Sequence, residues 1–314
     1  MKFDFDQINL VPKKCIVNSR NECDTTVSLG KFNFKLPIVP ANMECVLDTS
    51  LAEKLASNSY FYVLHRFLSD EQVLSFVENM NHKGFPSSIS IGVNRDSYDL
   101  IDKIIGKGLK VDFMTIDIAH GHALKMQKMI KYLKEILPET FIIAGNISTS
   151  EAVLELENWG ADAVKVGIGP GSACTTYPST GFGSRNCQAS TIYNCSMVAS
   201  VPIIADGGIR NPGDIAKALT LGATIVMVGG MMSGYKDSPG QVVEIDGKKY
   251  KEFWGSASSF QSGKSNRIEG KNTLVDFKNE SIFDGLKYIE ECLQSSISYA
   301  GGKDLNVFDN TKWI

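Results

Sequence analysis

No stretch of this 314-residue chain strings together the roughly 18–20 apolar residues that a membrane-spanning helix needs. The first residues, Met1-Lys-Phe-Asp-Phe-Asp6, are acidic where a secretory leader needs a basic start and an apolar run, so a cytoplasmic protein with no membrane partner is expected. There is no CxxC pair, and the seven cysteines are odd in number and irregularly spaced. That excludes an obvious zinc or disulfide framework and favours reduced thiols. Basic residues are not in excess: the formal charge is -3, which gives no reason to expect nucleic acid. The densest lysine cluster, Lys248, Lys249 and Lys251, falls in an expected hairpin and reads as a solvated face. No histidine neighbours a cysteine, because His65, His82, His120 and His122 lie on other segments. His120 and His122 have no evident third metal ligand and read as a rim loop.

What the chain does have is glycine in a telling place. Lys165-Val-Gly-Ile-Gly-Pro-Gly-Ser-Ala-Cys-Thr-Thr176 alternates glycines with other residues, then delivers Ser172, one sulfur at Cys174, and two hydroxyls. The apolar run 163–166 reads as a buried strand, so the loop leaves a strand end. Glycines let such a backbone pass close to a ligand. A free thiol has a pKa near 8.5 and is only a few per cent ionised at neutral pH, so donors and dipoles on the loop would have to raise that fraction for attack.

Eight short β-rich runs recur, at 36–40, 61–64, 88–91, 113–118, 141–144, 163–166, 202–205 and 225–228. Helix-period segments follow most of them, near 49–57, 69–82, 97–106, 122–137, 149–159, 187–198 and 212–221, with a late one at 282–295. Ser69, Thr149 and Asn211 are the expected N-caps, with Pro212 in the first helical position and Gly160 and Gly222 as stops. The pattern predicts an α/β fold, a (β/α)8 TIM barrel spanning 1–314 as one domain, with an open doubly wound sheet as the competitor. Polar or glycine residues end most strands (Asn42, His65, Asp117, Asn146, Gly167, Asp206, Gly229), and barrel chemistry sits on that rim.

Two parts fall outside the repeat. Residues 1–35 form an N-terminal arm holding Ser19, Arg20 and a short hairpin. A flap insertion at about 231–279 follows strand eight and contains a hairpin around Asp246-Gly247. An insertion of this length on the catalytic rim predicts a lid or binding loop, with no regulatory module elsewhere. The glycine pairs Gly207-Gly208 and Gly229-Gly230 follow the last two strands, where barrels frequently bind phosphate. With Ser172 they predict a phosphorylated substrate. Asp206 would repel that phosphate, so it reads as an acceptor for sugar hydroxyls or as a structural carboxylate tied to its own loop.

Gly169-Pro-Gly-Ser-Ala-Cys-Thr-Thr176, Ala205-Asp-Gly-Gly208, Pro40-Ala-Asn-Met43, Ala144-Gly-Asn146 and Ser298-Tyr-Ala-Gly301 together resemble the barrel family of inosine monophosphate dehydrogenase and guanosine monophosphate reductase. The resemblance runs from Asp4 to about Lys303. It implies a covalent thioimidate between Cys174 and purine carbon 2. The dehydrogenase branch oxidises IMP with NAD; the reductase branch deaminates GMP with NADPH. Three features point to the reductase branch in its bacterial form. The region after strands two and three is compact. Ser258-Ser259 stands ahead of Phe260-Gln261, where a dehydrogenase carries a water-activating Arg-Tyr. Thr176 and Glu269, in Ile268-Glu-Gly-Lys271, match the reductase pair that handles the proton on departing ammonia.

The resemblance further implies a site. Cys174, Thr176 and Glu269 are catalytic. Met43, Ser172, Asp206, Gly207, Gly208, Gly229, Gly230, Gly255 and Ser256 hold GMP or IMP. Asp117 and Ala119 flank NADPH, with Ser19 and Arg20 reaching in from a neighbouring subunit of a homotetramer. Arg66 stands where better-known members have lysine and suits a 2′-phosphate, or is a surface charge. Carbonyls of Gly169, Gly171 and Cys174 match a K⁺ site, and no flavin is expected. Tyr177-Pro178 and Ser184-Arg-Asn-Cys187 depart from the family pattern beside the loop, and Arg267 is offset from the family's arginine. The alternatives are a dehydrogenase without a regulatory insert and a flavin- or phosphate-binding barrel with an idle Cys174.

Overall fold

The computed structural model describes residues 2–255 and 272–314. Two short antiparallel strands, β1 (Val27–Leu29) and β2 (Phe32–Phe34), realise the expected hairpin of the arm. Seven parallel strands follow: β3 (Ile38–Pro40), β4 (Ser88–Ile91), β5 (Phe113–Asp117), β6 (Phe141–Ile147), β7 (Ala163–Val166), β8 (Ile203–Asp206) and β9 (Ile225–Val228). They form one sheet in the order β3-β9-β8-β7-β6-β5-β4.

The run 61–64 is where structure and expectation part. It is not a full strand, because only Leu64 bridges to Ile89, with Ser90 N–H donating to Leu64 O and Leu64 N–H to Ser88 O. Side chains complete the ring instead. Phe61 and Val63 share one buried cluster with Val39, Phe113, Ile143, Ala163, Ile204 and Ile225, drawn from β3 and from β5 through β9. An open sheet would hold β3 and β4 apart at opposite edges, so the shared interior establishes the curled, TIM-barrel-like (β/α)8 arrangement. Phe34 of the hairpin enters the same cluster, 4.9 Å from Phe61 and 6.0 Å from Phe113 between ring centres. It thereby closes the end of the barrel where the strands begin.

Helices cover the outside: α1 (Thr49–Ser57), α2 (Asp70–Lys83), α3 (Arg95–Gly106), α4 (Leu124–Ile136), α5 (Ser150–Trp159), the five-residue α6 (Thr176–Thr180), α7 (Gln188–Ser196), α8 (Pro212–Thr220), the short α9 (Gly230–Ser233) and α10 (Ile282–Ala300). Their ends obey local chemistry. Ser69 and Gln72 cap α2 reciprocally, Thr149 accepts from Ala152 N–H at the start of α5, and Gly160 ends α5 at φ 111°. Asn211 and Pro212 open α8. Each helix then buries one stripe on the sheet. In α5 that stripe is Ala152, Val153 and Leu156, and each large member is worth about 1.5–3 kcal/mol in transfer free energy. No helix among the described residues is long and apolar enough to cross a membrane.

The insertion after β9 holds the expected hairpin, β10 (Val242–Ile245) and β11 (Lys248–Trp254), plus an unforeseen strand, β12 (Asn272–Asp276), paired to β11. Lys251 is buried there, donating to the carbonyls of Ser238 and Lys236. Trp254 N–H donates to Cys45 Sγ at 3.4 Å, which fastens the insertion to the loop after β3.

Candidate active site

Strand alternation builds the site floor. On β7, Val164 and Val166 pack outward against the helices while Ala163 faces the barrel interior, so Lys165 also points inward. The same alternation turns Asp117 of β5 and Asp206 of β8 inward, above the apolar base formed by Phe113 and Ile204. Lys165 Nζ, on a side chain 2% exposed, sits 2.9 Å from Asp117 Oδ1 and 2.7 Å from Asp206 Oδ2. Between β5 and β7 runs β6, and Gly145 occupies the row that pairs with both Asp117 and Lys165. A side chain at Gly145 would place its Cβ 2.6 Å from Lys165 Cβ. The missing side chain is what lets the Asp117 carboxylate reach across to the ammonium.

Electrostatics follow from that geometry. Burial opposes the charge of Lys165, but Asp117 and then Asp206 outweigh it and hold the ammonium above the usual lysine range. Burial likewise pushes the Asp117 carboxyl up. Lys165, by charge and hydrogen bond, with Arg66 and Asn42 behind it, reverses this and holds it below the usual carboxylate range. Asn146 Nδ2 donates to Asp206 Oδ2 at 2.8 Å and to Gly167 O at 2.6 Å. Asn146 Oδ1 is buried with no donor among the described residues, and Asn146 lines the cavity. A ligand N–H or O–H would satisfy it.

The cysteine loop stands directly above. Gly167, at φ 147°, has no room for a side chain, since its Cβ would fall 1.9 Å from Asp206 O. Buried Gln188 ties the two strand ends together, donating to Val166 O at 2.9 Å and Asp206 O at 3.2 Å, and Ser184 Oγ donates to Gln188 Oε1. Ser184, one of the departures from the family pattern, is therefore part of the loop's support. Cys174 N–H donates to Gly171 O at 3.1 Å. Cys174 Sγ lies 3.2 Å from Thr176 Oγ1, the first residue of α6. A hydroxyl at that distance can accept from the thiol or turn its proton towards a thiolate.

Three glycine loops meet around this point. Gly207 and Gly208 adopt φ of 87° and 82°, and a Cβ on Gly207 would lie 2.9 Å from Pro170 Cγ. A Cβ on Gly230 would be 4.0 Å from Ser172 Oγ, so that hydroxyl faces the loop after β9. The cavity they enclose measures about 870 Å³. Gly169, Gly171, Ser172, Cys174, Thr176, Asp206, Gly207, Gly208, Gly229, Gly230, Met43 and Gly255 all line it.

Asp117, Ala119 and Arg66 line the same cavity. The Arg66 guanidinium lies over the Phe67 ring, 4.9 Å from the centre. Ser19 and Arg20 do not line it. Ser19 caps a turn at Asn21, and Arg20 donates to Ser295 Oγ on α10 at 3.2 Å. Ser256 and Glu269 lie outside the described residues, as do Ser258–Gln261 and Arg267. His122 pairs with Glu155 at 3.0 Å, and no group of three or more His, Cys, Asp or Glu among the described residues could hold a metal.

Sequence reasoning placed Lys165 only as a strand residue and missed Gln188. The one signal for Lys165 was a lysine inside an otherwise apolar strand. The Asp206 carboxylate bonds Lys165 and Asn146 rather than its own loop.

Comparison with known proteins extends these observations. The family model described as IMP dehydrogenase / GMP reductase domain matches residues 2–312. The chain is 52% identical over 312 residues to the GMP reductase of Clostridium acetobutylicum, covering 99% of this chain and 95% of that protein. It is 53% identical over 304 residues to that of Lactobacillus acidophilus, covering 97% and 92%. To that of Albidiferax ferrireducens it is 54% identical over 303 residues, covering 96% and 92%. With the match spanning the barrel, the cysteine loop and all three glycine loops, the chain belongs to the IMP dehydrogenase / GMP reductase family.

Proposed function

We propose that this protein catalyses the NADPH-dependent reductive deamination of GMP to IMP and ammonia, through a thioimidate on Cys174. The observation that carries the reading is the 3.2 Å approach of Cys174 Sγ to Thr176 Oγ1 inside the 870 Å³ cavity. The relatives' shared name, GMP reductase, supplies the substrate.

In this reading Ser172, Gly207, Gly208, Gly229 and Gly230 hold the phosphate, Asp206 the ribose, and Met43 the base, with Gly255 and Ser256 at the insertion's edge. The Cys174 thiolate adds to carbon 2 of guanine. Thr176, with Glu269, passes a proton to the exocyclic amine, and the C–N bond breaks to release ammonia. NADPH, flanked by Asp117 and Ala119, would supply the hydride to carbon 2. The C–S bond then breaks, returning the electron pair to sulfur and releasing IMP.

The residues present suit a nicotinamide dinucleotide. The cavity lies within the roughly 300–1,000 Å³ range of ligand sites and near its upper end. Asn146 Oδ1 offers an acceptor with no donor among the described residues, and Arg66 offers a planar fork suited to a 2′-phosphate. Asp117 and Ala119 flank the cofactor. The proposal assigns Ser19 and Arg20 to a neighbouring subunit's cofactor site in a cytoplasmic homotetramer, and K⁺ to the carbonyls of Gly169, Gly171 and Cys174. It treats the chain as one domain.

Mixing the protein with GMP and NADPH should bleach the reduced-nicotinamide absorbance, while IMP with NAD stays silent. The reverse result would make it a dehydrogenase. A yellow purified protein would mean bound flavin and an idle Cys174.

A further inference from the structure

We propose that Lys165 is a positioning residue: its buried ammonium, shared by Asp117 and Asp206, aligns the dinucleotide and nucleotide halves of the cavity. The proposal rests on the reading above, which assigns Asp117 to the cofactor and Asp206 to the nucleotide. Three observations carry it. The ammonium bonds both carboxylates, at 2.9 and 2.7 Å, from strands that are not adjacent. Gly145 in the intervening strand leaves room for that span and for no side chain. Asp206 Oδ2 also takes Asn146 Nδ2, so a single oxygen gathers β6, β7 and β8.

A buried lysine is a poor way to fill an apolar core, since burying a charge is costly unless it is paired. A methionine of similar length would fill the space without that cost. What the ammonium adds is charge. Without it, two carboxylates share a confined floor and cannot both stay ionised near neutral pH. Among the described residues, the charged and polar groups reaching this point are Asp117 from β5, Asp206 from β8, Asn146 from β6, Asn42 beyond β3, and Arg66 beyond Leu64, the last acting on Asp117. Lys165 and Arg66 together balance the two carboxylates. Losing Lys165 leaves one negative charge in excess, which a proton can neutralise.

The test is calorimetric titration with IMP from pH 6 to 8.5 on wild type, Lys165→Met and Lys165→Arg, alongside steady-state kinetics with GMP and NADPH. Wild-type affinity should be flat with pH. Lys165→Met should bind IMP at least roughly tenfold more weakly at pH 8, the scale of losing a charged hydrogen bond, and recover towards pH 6. Both KM values should rise more than kcat falls. Lys165→Arg, keeping the charge, should restore the flat profile. A folded Lys165→Met with IMP affinity within twofold of wild type at every pH overturns the proposal. Should that variant not fold, Asp117→Asn/Lys165→Met removes one charge of each sign. That variant lacks the clamp but not the charge balance, so it should bind IMP only as weakly as is expected of Lys165→Met at pH 6, with no further loss towards pH 8. Weakening that grows with pH, or wild-type affinity throughout, overturns the proposal. If the wild type itself binds neither GMP nor IMP, the functional reading fails, and this inference with it.

Discussion

Cys174 and Thr176 stand two residues apart, and their Sγ and Oγ1 atoms are 3.2 Å apart across the start of α6. The pair is held from beneath rather than by its own short helix. Gln188 bonds Val166 O and Asp206 O, fixing the strand ends from which the cysteine loop rises. Cys174→Ala should abolish turnover while leaving GMP binding within a few-fold by calorimetry. Thr176→Val should cut kcat about 10²–10⁴-fold, the usual worth of a positioned proton-transfer group. Near-normal rates in Cys174→Ala would remove the covalent step.

Gly145→Ala should show how tightly the floor is built. The new methyl would sit 2.6 Å from Lys165 Cβ and 2.7 Å from Lys165 O, and backbone cannot yield as a flexible side-chain end would. Overpacking of this kind typically costs about 1–3 kcal/mol. Denaturant unfolding should register that loss, and catalytic efficiency should fall with it. An unchanged midpoint would mean that β6 and β7 can separate freely.

Arg66→Ser should weaken NADPH far more than NADH. Arg66 lines the cavity beside Asp117 and stacks on Phe67, and only the phosphorylated cofactor carries the dianion that a guanidinium grips. A rise in KM for NADPH of roughly tenfold or more is expected for loss of a charged contact, with a smaller rise for NADH from the charge lost beside Asp117. Equal effects on both cofactors would sink the 2′-phosphate role.

His65 sets a pH dependence. Burial lowers its pKa below the usual histidine value, against the opposing pull of Glu44 and Asp48, and Phe67 N–H donates to its Nδ1 at 3.3 Å. The unfolded chain therefore takes up a proton more readily than the folded one. Stability from this residue is complete above about pH 6.5 and is lost as pH falls through the depressed native value. The melting temperature should drop between pH 7 and 5, and His65→Gln should flatten that slope. An identical slope in the variant would assign the drop to other groups.

Much of this was legible in the sequence, and the line between legible and hidden follows range. Caps such as Ser69, Thr149 and Asn211 act within four residues of themselves and show in any short window. The glycine loops likewise announce themselves, because only glycine tolerates the backbone of Gly207 and Gly208. The run 61–64 has the composition of a strand. Yet a strand needs backbone partners on its flanks, and only Leu64 finds one. The β12 strand was hidden because its burial alternates weakly and its identity depends on pairing with β11. Lys165 was hidden more deeply. Its two carboxylates come from positions 41 and 48 residues away in chain terms, and only the side-by-side pairing of β5 to β8 in the curled sheet makes them neighbours. Gln188 reads as an ordinary first residue of a helix until the carbonyls above it are in place.

The rooting of the insertion has its own corollary. The chain departs after Trp254 and returns at Asn272, and those two residues are direct partners across β11 and β12. Its two anchor points are thus separated by a single interstrand gap of about 5 Å, whatever lies between them. Evolution can therefore exchange, stretch or recompose the intervening residues without disturbing the register of any barrel strand.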